Sequence, residues 1–305
     1  MPRRYRRGHA NVARPGRPVW RETDVGVTAP AEIPLRRRGV DRPYLLLAPA
    51  ALVARAPLVV ELHGRGIDPV RFDALTGFGA LAAEAGFALV LPRAVGGLWN
   101  DGRMPNRTVD DVGYLAAVID HVCARLPIER RRVYLVGMSN GATMAARFVC
   151  ESADRITAFA QVAGTAAVSV GEAARPAGPV PLLHIDASAD EFAPYEGGSR
   201  RNTLRARLVL RRPAGPSVGV DDWARFWAER NRAVDGPEIR ELPPDTTVRT
   251  WRDAGSSPVV VFYRVAGAGH TWPGSRVRPP RALFGRTTAT FEATRAIWAF
   301  FEQHD

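Results

Sequence analysis

One short stretch restricts the fold more than any other. A strand-like apolar run, Arg132–Val136, passes through Gly137-Met138-Ser139-Asn140-Gly141 into Gly141–Glu151, whose apolar residues recur at helical spacing. A serine placed this way between strand and helix sits on a tight turn with its hydroxyl clear of the sheet. The flanking glycines are required because side chains there would obstruct the approach of strand and helix. Such a turn needs a helix packed back against the sheet, which points to a layered α/β architecture.

The surrounding pattern agrees. Leu58–Leu62 reads as a strand, Arg71–Ala85 as a helix stopped by Gly86, Phe87–Leu91 as a strand, and Asp110–Leu126 as a helix. Phe159–Ala163, Val180–Ile185 and Val259–Val265 read as further strands, and Thr290–Gln303 as a closing helix. Strands alternating with helices of this length predict βαβ units and a mostly parallel central sheet flanked by helices. A loop-rich insertion near 192–257, with one helix at Asp221–Asn231, reads as a cap. Residues 43–305 are therefore expected to form one catalytic domain, a size that supports a substantial core.

Charge separates the remainder. All 42 basic residues are arginine, so chemistry that needs a lysine, a Schiff base or a P-loop, is excluded. Residues 1–42 hold eleven arginines against four acids, or +7 of the chain's +11. This stretch is expected to be a flexible, solvated extension. With only Tyr5 and Trp20 available for stacking, nucleic-acid binding is the weaker reading of its charge. The arginine pairs near the start are not followed by an apolar signal core, and Tyr44–Ala54 is too short to span a bilayer. As written the sequence predicts no transmembrane segment and no export signal, hence a cytoplasmic location. Cys123 and Cys150 fall in helix-like segments and are expected to be buried thiols.

A serine nucleophile needs a histidine base and an orienting acid. Of six histidines, His270 lies just past the last predicted strand, whereas His9 and His304 lie in the termini and His121 in a helix. His63 follows a strand among glycines and is expected to brace its loop, and His184 lies inside an apolar strand. Two aspartates follow that strand. Asp190, further into the loop, is favoured as the acid, with Asp186 the alternative. Backbone amides of Asn140 and of Arg65, in His63-Gly64-Arg65-Gly66, would form the oxyanion hole. Trp99 and Trp272 are candidates for lining a substrate cleft. No cofactor is expected, no His/Asp cluster has metal-ligand spacing, and no dinucleotide fingerprint follows a strand.

The stretches LVVELHG, EAGFALVLP, RTVDDVGYLAAVID, RRVYLVGMSNGATMAARFVCE, LLHIDASADEFAPYEGG and GAGHTWPGS occur in this order. Together they resemble the polyhydroxybutyrate depolymerase and feruloyl esterase-like family of α/β-hydrolases. The resemblance covers roughly residues 43–303 and implies ester hydrolysis with Ser139 as nucleophile, Asp190 as acid and His270 as base. It implies a small or polymeric ester substrate of polyhydroxyalkanoate, feruloyl or acetyl type, and a secreted protein. A peptidase or acyltransferase would use the same triad. Two positions depart from the family pattern: Arg65 stands where cysteine is common, and Asp186-Ala187 where His-Gly is common.

Overall fold

A computed structural model describes residues 30–49, 52–104, 106–199, 203 and 214–305. Its strands are β1 (Ala31–Ile33), β2 (Arg36–Arg37), β3 (Val40–Asp41), β4 (Tyr44–Leu47), β5 (Ala56–Leu62), β6 (Ala88–Pro92) and β7 (Ile128–Met138). They continue with β8 (Ala158–Val162), β9 (Leu182–Ala187), β10 (Asp235–Leu242), β11 (Thr246–Arg252) and β12 (Pro258–Val265). The helices are α1 (Pro69–Thr76), α2 (Phe78–Ala85), α3 (Asp111–Cys123), α4 (Asn140–Ser152), α5 (Val168–Ala173), α6 (Val220–Arg230), α7 (Arg281–Phe284) and α8 (Ala293–Phe301).

Ten strands form one sheet in the order β1-β4-β6-β5-β7-β8-β9-β12-β11-β10. The six from β6 to β12 are parallel, and an antiparallel pair closes each end. Alternation along β7 shows how the sequence builds two cores. Val133 and Leu135 pack on one face with α3, α4 and α6, while Tyr134, Val136 and Met138 pack on the other with α1, α2 and α8. Each large aliphatic side chain buried this way stabilises the fold by about 1.5–3 kcal/mol. Trp223 of α6 donates to Gln161 Oε1 at 2.7 Å, fastening that helix to β8. The parallel strands all end at one edge of the sheet, where α/β proteins bind ligands.

Several expectations change. The body begins before residue 43: β1 pairs with β4, Arg37 meets Asp110 at 2.5 Å, and Arg42 reaches buried Asp111 at 2.7 Å. Residues 31–42 are thus part of the fold, while the stretch before residue 30 lies outside the described residues. The single helix expected over Arg71–Ala85 is two, because Gly77 takes φ +80° between them and its N–H closes on Asp73 O. Much of the supposed cap belongs to the sheet, since β10 and β11 extend it and α6 covers it. β10 escaped sequence reading because it is an edge strand, exposed almost throughout, with no apolar alternation. Both cysteines are unpaired, and burial raises both thiols, Cys150 to about 12. Among the described residues no helix is long and apolar enough to cross a membrane.

Candidate active site

Ser139 follows β7 directly and stands at the N-cap position of α4 with φ +58° and ψ −120°, a region non-glycine residues rarely occupy. Such backbone strain costs about 1–3 kcal/mol and persists only where the surroundings enforce it. Here Ser139 N–H donates to Val162 O at 2.9 Å, and Thr143 N–H donates to Ser139 O at 3.0 Å. The glycines have a steric cause: a Cβ at Gly137 would lie 2.4 Å from Gly141 O, and one at Gly141 would lie 2.1 Å from Leu62 O. The turn therefore brings the serine directly beside the end of β5.

The loop after β5 supplies the second wall. A Cβ at Gly64 would lie 3.7 Å from the Ser139 Cβ, so the Gly64-Arg65 backbone runs alongside the serine. Gly66 N–H donates to Gly97 O at 2.8 Å and Ile67 N–H to Gly64 O at 3.2 Å, fixing the turn. His63 braces it as expected: its Nδ1 bonds Gly64 O at 2.8 Å and its Nε2 accepts Ala94 N–H at 3.1 Å. Burial lowers the His63 pKa, in keeping with a neutral ring in this role.

His270 arrives on the loop after β12, where its N–H donates to Phe284 O at 2.8 Å. Its Nδ1 lies 2.6 Å from Asp190 Oδ2. The other Asp190 oxygen accepts Phe192 N–H at 2.7 Å and Ala193 N–H at 2.9 Å, so the acid is fixed independently of the histidine. Burial pulls the His270 pKa down, but the Asp190 charge and hydrogen bond, aided by Asp186, outweigh it and leave the pKa raised. Asp186 does not take the acid's place: it sits at the end of β9, 3.4 Å from His184, with Oδ1 on Ala187 N–H. Burial raises its pKa.

A cavity of about 180 Å3 joins these parts, lined by Arg65, Ser139, Asn140 and His270 among others. Trp272 touches it but is 1% exposed, its indole donating to Thr294 Oγ1 and packed edge-on against Phe72 and Phe78. Trp99 does not line it. That ring is fully buried and donates to His63 O at 3.0 Å, so it supports the loop from beneath. Sequence reading missed Asp101, Arg103, Phe192 and Phe284, all of which line the cavity. Their signal was positional, since most lie in loops that follow parallel strands or flank His270.

The fold is that of the α/β-hydrolase esterases. The family model described as "Esterase PHB depolymerase" matches residues 43–194, in keeping with the resemblance to polyhydroxybutyrate depolymerase and esterase-like proteins. It is 29% identical over 247 residues to "Putative esterase NocK" of Nocardia uniformis subsp. tsuyamanensis, covering 78% of this chain and 71% of that protein. It is 29% identical over 163 residues to "Bifunctional acetylxylan esterase/xylanase XynS20E" of Neocallimastix patriciarum, covering 53% of this chain but only 23% of that larger protein. Among solved structures, the acetyl xylan esterase from Aspergillus awamori aligns with 90% of this chain and all of its own, at TM-score 0.64 and 12% identity. The similarity to that structure is one of fold.

Proposed function

We propose that the protein hydrolyses carboxylic esters through Ser139, His270 and Asp190. The observation that carries this reading is the 2.6 Å contact from buried Asp190 to His270, a residue that lines the same cavity as the strained Ser139 turn. His270 takes the Ser139 proton as its oxygen attacks the ester carbonyl. Asp190 holds the ring with Nδ1–H toward the carboxylate and stabilises the imidazolium that forms. The carbonyl oxygen, now an oxyanion, is met by the N–H groups of Asn140 and Arg65. Asn140 opens α4, where the first amides have no partner within the helix. His270 then donates its proton to the leaving alcohol, and an acyl-enzyme remains. Water, deprotonated by His270, releases the acid and restores the serine.

Substrates in keeping with the resemblance are esters of acetyl, feruloyl or hydroxyalkanoate type. The test is turnover of 4-nitrophenyl butyrate by Ser139→Ala. A fall of about 10⁵–10⁶-fold in kcat with an unchanged circular dichroism spectrum is expected. Hydrolysis that persists in the variant at more than a hundredth of the starting rate refutes Ser139 as nucleophile.

A further inference from the structure

The cavity wall has a charge arrangement that ester hydrolysis by itself does not require. Much of its lining is apolar, including Ile67, Leu98, Met104, Phe192 and Phe284. Among the described residues, the formal charges in the lining are Arg65, Arg103 and Asp101. Asp101 does not act as an exposed counter-charge. Its side chain is 1% exposed, and its Oδ2 accepts Arg103 Nε at 2.9 Å, Arg103 Nη2 at 2.6 Å and Asn140 Nδ2 at 2.5 Å. Its Oδ1 accepts the Arg103 N–H at 3.0 Å.

This carboxylate stands behind the guanidinium and fixes its orientation. One guanidinium edge is spent on Asp101, so Nη1, on the opposite side, keeps its donors for another partner. The Arg103 side chain is 14% exposed, and its backbone is held in turn by Gly215, whose N–H donates to Arg103 O at 2.9 Å. Arg103 also lies near enough to His270 to oppose that ring's protonation. An arginine that is oriented by a buried acid, faces a largely apolar cavity and stands near the reacting histidine has the features of an anion recognition element.

We infer that Arg103, oriented by Asp101, selects esters that carry a free carboxylate on an otherwise apolar body. This inference rests on the esterase reading above and names the substrate class of the same cavity. Planar, paired N–H donors suit a carboxylate, and a semi-enclosed apolar cavity strengthens the contact relative to one made in water.

The experiment follows 4-nitrophenolate release from 4-nitrophenyl hydrogen adipate and from its methyl ester, which place the charge on the acyl side. A second pair, 4-carboxyphenyl butyrate and its methyl ester, places the charge on the alcohol side and is followed by chromatography. On the unmodified protein at least one acid is expected to exceed its own methyl ester tenfold or more in kcat/KM. Arg103→Gln is expected to lower that ratio about 10- to 100-fold, the range for a hydrogen bond to a charged group. Arg103→Lys is expected to recover part of it.

If both methyl esters are cleaved as fast as their acids, the inference is overturned whatever Arg103→Gln does. A ratio that Arg103→Gln changes less than threefold also overturns it, leaving the hydrolase reading intact. If none of the four esters is hydrolysed, the hydrolase reading itself fails.

Discussion

Arg42→Met removes the cation beside an enclosed carboxylate. The Asp111 side chain has no exposure and that of Arg42 has 12%, with Nη2 at 2.7 Å from Asp111 Oδ1. The same nitrogen donates to Arg93 O at 3.0 Å, and the guanidinium lies 3.6 Å from the Tyr114 ring centroid. Methionine keeps most of the aliphatic stem, so the change is chiefly electrostatic. Leaving one partner of a buried pair unmatched costs about 3–5 kcal/mol, and the lost contact with the aromatic face adds about 1 kcal/mol. For a domain of this size the melting temperature should fall by about 6–20 °C. Arg225→Met is the control. It breaks a pair with Asp222 whose side chains are 65% and 72% exposed, and such a pair is worth about 0.5 kcal/mol. The assay is urea unfolding followed by tryptophan fluorescence, with the slope compared between variants. Asp111 Oδ2 also accepts Asn100 N–H at 2.6 Å, next to Asp101, so kcat/KM should fall at temperatures where the variant is still fully folded. If Arg42→Met and Arg225→Met unfold within about 1 kcal/mol of each other, a role for residues 31–42 in holding the fold together is refuted.

Further predictions concern the turn, the base and a buried carboxyl pair. Gly141→Ala should yield little folded protein, because its Cβ meets Leu62 O at 2.1 Å, and expression beside Gly178→Ala, a site with nothing within 4 Å, tests this. The raised His270 pKa means that the neutral base is lost already as pH falls from above the ordinary histidine value. The acid limb of kcat/KM should therefore have its midpoint above 6.5, and Arg103→Gln should move it further up. A midpoint below 6.5, read from a pH series with 4-nitrophenyl butyrate, would contradict the geometry. Burial raises Asp73 to about 6 and raises Glu61 well above the ordinary carboxylate range. In the unfolded chain both ionise near pH 4, whereas in the fold they resist doing so. Their contribution therefore favours the fold below that pH and is lost as pH rises toward 6 and beyond. Asp73→Asn, which can keep the bond to Gly79 N–H, should melt higher than the unaltered protein at pH 8 and alike at pH 4.

Sequence determined most of what is local. Ser139 was legible because glycines are needed on both sides of a turn where backbone meets backbone, and no other residue type meets that demand. The parallel centre of the sheet was legible because strands buried on both faces read as continuous apolar runs, as in β5 and β6. His270 could be singled out by elimination, and chain order narrowed its partner to Asp186 or Asp190; the fold puts Asp190 at 2.6 Å from the ring.

Tertiary structure decided which residues share a space. Nothing local distinguishes the arginines of the N-terminal stretch, yet Arg42 is buried on Asp111 while Arg36 makes only an exposed contact with Asp41. Nor does sequence say that Trp99 lies beneath a loop rather than in a cleft, or that Asp101 turns Arg103 toward the cavity. Those outcomes depend on contacts across tens of residues, where burial sets the worth of a charge or an indole. A sequence records the charge and the ring, but their surroundings exist only after the chain has folded.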